Sequence, residues 1–177
     1  MNTKYELLKT DTKIHNGITL YRIRALVAIG LTVVAGDCGG YVETEKNLSV
    51  SGDAWVYGDA QVYGDAQVSG NARVSGDAWV SGNAWVYGNA WVSGNARVEN
   101  KEAIQTYSGV GSEFGTLTVY KTKDSIEITR GCFRGSLAEF RAAVKNKHGA
   151  DSKIGKNYLG ICDLIAHWFD IDGGIEL

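Results

Sequence analysis

Between Val50 and Arg97 the chain repeats one pattern every six residues: VSGDAW, VYGDAQ, VYGDAQ, VSGNAR, VSGDAW, VSGNAW, VYGNAW, VSGNAR, eight hexads without an insertion. Valine opens each hexad, Gly-Asp or Gly-Asn fills the third and fourth places, and Ala the fifth. A β-branched residue flanked by outward-pointing neighbours is a short strand. Gly followed by Asp or Asn supplies the turn-like φ of a corner, and Ala is small enough to sit beneath it. A helix is excluded, because a Gly in every hexad would cost about 1 kcal/mol each and the apolar period is wrong. A stack of hairpins fits poorly, since the corner chemistry recurs too often. The pattern predicts a solenoid of very short strands, with valine inward throughout.

The flanks follow different patterns. Residues 1–49 read as a β-rich cap: a short strand over Tyr5–Leu8, a hairpin turn at Asn16-Gly17, and a long strand over Ile18–Ile29. Gly39-Gly40 reads as a tight turn rather than a phosphate loop, because no helix signal and no Lys-Ser/Thr follows. Residues 50–99 are the solenoid, and the Ser/Gly-rich stretch 100–115 reads as a linker. Residues 116–177 predict a β-β-α-α module. In it a hairpin turns about Lys123-Asp124. Ser136 and Glu139 then form a capping box opening a helix that buries Leu137, Phe140 and Val144 and stops at Gly149. A second helix over 155–169 places Tyr158, Ile161, Cys162, Ile165 and Phe169 on one face.

The hexads resemble those of left-handed parallel β-helices, in which three hexads complete a triangular coil of 18 residues; a right-handed solenoid of the bactofilin type is the alternative. The fold class expected is therefore mainly β, with fewer than three coils rising about 13 Å at the usual strand spacing of about 4.8 Å. Stacking by 18 places Trp55, Arg73 and Trp91 in one outer column, with Tyr57 beside it. Gln61, Trp79 and Arg97 form the second column, and Gln67 and Trp85 the third, with Tyr87 alongside. All these aromatics point away from the coil, and Arg73 is expected to stack between Trp55 and Trp91. A stub with two open ends calls for caps and partner subunits. The resemblance implies three subunits, since left-handed β-helix proteins are commonly parallel trimers.

Composition narrows the function. Eighteen Lys+Arg against 20 Asp+Glu leave a formal charge of -2, so neither duplex nucleic acid nor a membrane surface is an expected partner. There are 23 glycines and no proline, which suits ordered, repeated turns rather than a linker-like chain. The apolar stretch from Ala25 to Ala35 is too short to span a bilayer. The mixed-charge N-terminus has no secretory h-region, so a cytoplasmic location is expected. Cys38, Cys132 and Cys162 form no CxxC pair and read as reduced thiols. His15, His148 and His167 are scattered, so neither a metal nor a cofactor is expected. An Asp column, with Asp59 one coil below Asp77, reads as corner capping rather than a cation site.

YRIRALVAI, GDCGGYVETEKNLS, the GDAWVYGDA hexads and TKDSIEITRGCFRGSLAEFRAAVKNKHG together resemble a hexapeptide-repeat family encoded by bacteriophages and prophages. The resemblance implies an accessory intracellular phage protein and brings no catalytic residues with it. Hexapeptide-repeat acyltransferases need a histidine base at the coil wall, and γ-class carbonic anhydrases three metal-ligating histidines. Residues 50–97 contain no histidine, so no enzyme is expected. The expected role is a binding protein that sequesters a flat, partly anionic ligand, such as a host-defence signalling nucleotide, at subunit boundaries. Trp55, Tyr57, Arg73 and Trp91 are its first candidate residues, and Trp79, Trp85, Tyr87 and Arg97 the next. Direct binding of a host defence protein and a purely structural trimerisation role are the alternatives.

Overall fold

The computed structural model describes residues 2–171. Its strands, in chain order, begin with β1 (Tyr5–His15), β2 (Ile18–Ala25) and β3 (Cys38–Val42). Eight two-residue rungs follow: β4 (Trp55–Val56), β5 (Gln61–Val62), β6 (Gln67–Val68), β7 (Arg73–Val74), β8 (Trp79–Val80), β9 (Trp85–Val86), β10 (Trp91–Val92) and β11 (Arg97–Val98). Then come β12 (Ile104–Val110), β13 (Gly115–Lys121), β14 (Ile126–Arg130), β15 (Phe133–Gly135), α1 (Leu137–His148) and α2 (Lys153–Trp168). The fold is a mainly β chain, a solenoid of about three coils followed by strands and two helices.

The rungs stack in parallel on three faces, β3-β5-β8-β11, β4-β7-β10 and β6-β9, and β1 and β2 extend the first face as an antiparallel edge. From β4 onward, partners are 18 residues apart, as with Gln61 and Trp79 or Trp55 and Arg73. The valines from Val56 to Val98 and the hexad alanines from Ala54 to Ala96 are at most 1% exposed, so the coil interior is a dry stack of small aliphatic side chains. Corners are built on glycine twice over. Gly76 has φ +69°, and a Cβ there would lie 2.9 Å from the backbone nitrogen of Gly94 in the next coil.

The first coil departs from the hexad frame. Val50 is 52% exposed, and the inward place is taken by Leu48, at 0%, whose bridge to Val68 starts the third face. Tyr41 pairs with Gln61 and Val42 with Val62, a spacing of 20 residues. The solenoid therefore begins in the segment assigned to the cap, and two extra residues ahead of β4 push Val50 to the surface. Gly39-Gly40 is not a tight turn: both lie in β3, where a Cβ would meet the Val56 and Ala60 carbonyl oxygens at 2.5 Å. Glycine serves there for close approach of two backbones. Lys4 and Tyr5 supply donors to this irregular coil. Lys4 Nζ donates to Ser49 O at 3.0 Å and Ala54 O at 2.8 Å, and the Tyr5 hydroxyl to Leu48 O at 2.7 Å. Burial lowers the Lys4 pKa against the raising pull of Asp53, and burial pushes the Tyr5 hydroxyl up to about 12.

The chain divides into two compact units, one running to Ile104 with Lys121–Lys123, the other comprising Gln105–Tyr120 and the chain from Asp124 onward. Cap and coils thus share one unit. The second is a four-stranded sheet, β12-β13-β14-β15, with α1 and α2. Residues 104–110 are a strand and not a linker, because Ile104, Thr106, Tyr107 and Val110 supply the β-branched and aromatic residues a strand needs, and Tyr107 and Val110 pack on the core. The module therefore carries two strands, β12 and β15, beyond the expected pair. Its helices follow the sequence closely. Ser136 and Glu139 cap α1, which buries Leu137, Phe140 and Val144 and ends at Gly149 with φ +76°. Tyr158, Cys162 and Ile165 of α2 face the same core. Residues 172–177 of the predicted module lie outside the described residues. Among those described, no helix is long and apolar enough to cross a membrane.

Candidate functional site

Each hexad places one side chain just before its inward valine, and this residue points out of the coil by strand alternation. In-register stacking then builds the three expected columns. Trp55, Arg73 and Trp91 share the β4-β7-β10 face; Gln61, Trp79 and Arg97 share β5-β8-β11; Gln67 and Trp85 share β6-β9.

Pointing out of the coil is not the same as facing solvent. Trp55 is 1% exposed, with Tyr5 of β1 set edge-on against it at 6.2 Å between ring centres. It is a core residue and has no face to offer a ligand, which corrects its place as first candidate. Tyr57 is half-buried, its hydroxyl 3.1 Å from Thr32 Oγ1. On the second face the Arg97 guanidinium lies 4.0 Å over the Trp79 ring, and Nη1 donates to Asp77 O at 2.9 Å and Ala96 O at 2.7 Å. The stacking of Arg on Trp between successive coils, expected at Arg73, is realised there. His15, at the end of β1, closes the same face: its ring lies 4.3 Å from Trp79 and 5.0 Å from Tyr63, with Nε2 3.2 Å from the Tyr63 hydroxyl.

Four candidates stay at the surface. Trp85 is 56% exposed, Tyr87 50% and Trp91 43%. Trp85 and Tyr87 flank Val86, their rings 5.4 Å apart and tilted by 49°. Arg73, also exposed, is the rung neighbour of Trp91. This arrangement presents flat π-faces beside a planar cation, which can hold a flat anionic molecule by stacking and forked hydrogen bonds.

The corner carboxylates and amides are structural. Lys13 donates to Asp59 at 2.6 Å, and this hydrogen bond and charge hold the Asp59 carboxyl below its usual range. Asn71 Nδ2 donates to Asn89 Oδ1 at 3.1 Å, one coil above it. Among the described residues no group of three or more His, Cys, Asp and Glu side chains is placed to hold a metal ion. Sequence reasoning missed His15 and the cleft around Arg130 in the second unit; neither carries a spacing signal, because tertiary folding alone brings them to their partners.

A sequence profile described as the YdcK beta solenoid repeat matches residues 66–82 and 78–94, windows that begin two hexads apart on the central coils. The chain is a repeat β-solenoid protein. Comparison with curated proteins finds no match.

Proposed function

We propose that this β-solenoid is a non-catalytic binding protein, a homotrimer of the bacterial cytoplasm, that sequesters a flat, partly anionic ligand on its exposed aromatic face at subunit boundaries. A host-defence signalling nucleotide fits that chemistry and the phage resemblance of the chain. The observation that carries the reading is the exposure of Trp85, Tyr87 and Trp91, with Arg73 the rung neighbour of Trp91, where Trp55 and Trp79 are instead covered by residues of β1. Trp91 and Arg73 form the first contact and Trp85 with Tyr87 the second. Trp55, Trp79 and Arg97 support the coil rather than the ligand.

The test is calorimetry against cyclic and linear nucleotides, with oligomeric state followed by light scattering. Trp91→Ala should weaken binding by roughly 1 to 3 kcal/mol, the usual worth of one stacked base. Arg73→Lys should also weaken it, because Lys keeps the charge and loses the fork. If wild type binds nothing in the panel while Trp91→Ala dissociates the oligomer, the face is a protein interface and the nucleotide reading falls. A monomer by light scattering removes the boundary site. CoA-dependent acetyl transfer that His15→Ala abolishes would overturn the non-catalytic reading, since His15 is the histidine that reaches the coil wall.

A further inference from the structure

The second unit contains a cleft of about 450 Å³ between the β14–β15 turn, the end of α1 and Tyr158 of α2, within the size range of small-molecule sites. One wall is apolar, built from Phe133, Phe140 and Val144, with the two Phe rings 5.0 Å apart. The other is cationic. Arg130 is among its lining residues, its side chain only 12% exposed; Nε donates to the Tyr158 hydroxyl at 3.1 Å and Nη2 to Val110 O at 2.9 Å. Among the described residues Nη1 has only Glu113, at 4.0 Å, a carboxylate whose side chain is 77% exposed. That distance exceeds hydrogen-bond length, so one arm of the guanidinium keeps its donors for another acceptor. Lys147 adds charge from the last turn of α1, where the His148 ring stacks on Tyr158 at 5.7 Å.

The guanidinium is held in place before any ligand arrives. A Cβ on Gly115 would come within 2.5 Å of Arg130 Nη1, so the chain is packed directly against that arm. At Gly111 a Cβ would collide with the Tyr158 hydroxyl, the acceptor of the Arg130 Nε bond. Lys147 also complements the carbonyl end of α1. Arg130 has no such role, because it comes from β14 and lines the cleft from there.

We infer that this cleft binds a small oxyanion carried on a flat apolar body, an aryl phosphate or aryl carboxylate, with the anion on Arg130 Nη1 and Lys147 and the ring against Phe133 and Phe140. The site is separate from the coil face and does not depend on the function proposed for it. Cys132, an exposed thiol in the cleft lining, reports on occupancy. Cys38 is exposed on β3 in the other unit, and Cys162 is buried, its thiol pushed up to about 11 by that burial.

The experiment follows iodoacetamide alkylation of each cysteine by mass spectrometry, with phenyl phosphate, benzoate, inorganic phosphate or benzyl alcohol present at about 10 mM, above the millimolar affinity of a fragment-sized ligand. Phenyl phosphate or benzoate should slow Cys132 severalfold and leave Cys38 unchanged, and whichever protects more identifies the anion. Inorganic phosphate and benzyl alcohol, each with half of the recognition, should protect less. Lys147→Gln, an exposed change that leaves the core intact, should reduce the protection, and Arg130→Lys should abolish it. An unchanged Cys132 rate overturns the proposal, as does equal protection by benzyl alcohol or parallel slowing of Cys38.

Discussion

Truncating Leu48 and Val50 to alanine separates the hexad pattern from the geometry it takes in the first coil. By spacing alone Val50 is the inward residue, and Leu48 belongs to the lead-in. In the structure Leu48 is fully buried and Val50 is 52% exposed. Leu48→Ala removes three carbons at about 0.8 kcal/mol each and leaves a cavity, for a total cost of about 2 to 5 kcal/mol. The coil cannot collapse easily around the gap, because the Leu48 carbonyl is fixed by Tyr5 at 2.7 Å and Ser49 N by Val68 O at 2.9 Å. Val50→Ala removes two half-solvated methyls and should stay within about 0.5 kcal/mol. Four of the five tryptophans lie in the coils, so denaturation followed by indole fluorescence reads this unit directly. At about 4 °C per kcal/mol, Leu48→Ala should lower Tm by roughly 8 to 20 °C and Val50→Ala by about 2 °C or less. A larger loss at Val50 than at Leu48 would refute the register and return the coil to an unbroken hexad frame.

Tyr5 sets the alkaline limit of the same unit: its folded pKa of about 12 lies above the ordinary value of 10.0, so stability is complete below pH 10 and falls between 10 and 12, on the order of 1 kcal/mol per pH unit. Lys4 acts in the opposite sense, since its lowered pKa makes stability rise with pH up to the ordinary Lys value; Tyr5→Phe should remove the fall above pH 10 in urea titrations, and an unchanged slope would show that another group governs it. Gly76→Ala and Gly88→Ala both place a side chain at positive φ, costing about 1 to 2 kcal/mol, but only Gly76 also meets a backbone atom at 2.9 Å. Gly76→Ala should therefore be the worse of the two in Tm, and equal losses would show that corner stacking is not tight. Trp55→Ala should cost about 3 to 5 kcal/mol of stability, and Trp91→Ala, at a ring 43% exposed against 1% for Trp55, should cost clearly less; the reverse order in thermal melts would put the proposed ligand face back on Trp55.

The hexads made the backbone legible because each position of the repeat carries its own physical demand: valine for the interior, glycine for the corner, alanine beneath it. Period and register from β4 to β11 follow directly. Departures occur where a residue can satisfy a demand without matching the motif. Leu48 fills an inward place as well as valine does, and Val42 in GGYVETEK opens the ladder although no hexad surrounds it. Gly39 and Gly40 illustrate a second ambiguity, since composition does not distinguish a glycine that bends the chain from one that lets two strands touch. In β12, Ser108 and Gly109 suggested a linker, and Tyr107 and Val110 outweighed them by packing on the core. The first helix was legible to the residue, because its capping box and closing glycine are local signals, whereas the second begins at Lys153 on the Ser152 cap, two residues ahead of the expected start.

The candidate site was legible only in part, and the reason is the N-terminal segment. Coil geometry makes the three outer columns equivalent, so the repeat alone cannot rank them. The β1-β2 hairpin breaks the equivalence: Tyr5 closes over Trp55, and His15 over Tyr63 and Trp79. Those contacts join residues more than 40 positions apart in the chain, and between Tyr5 and His15 the pairing of β1 with β2 shifts register from Leu8 to Thr12. What the hairpin leaves in solvent is a ring pair, a third indole and a guanidinium on adjoining faces. One exposed aromatic on a surface needs no explanation. Three within seven residues, on a coil whose corners and interior need only Gly, Asn, Ala and Val, serve neither the bend nor the core, and that surplus is what the proposed binding role accounts for.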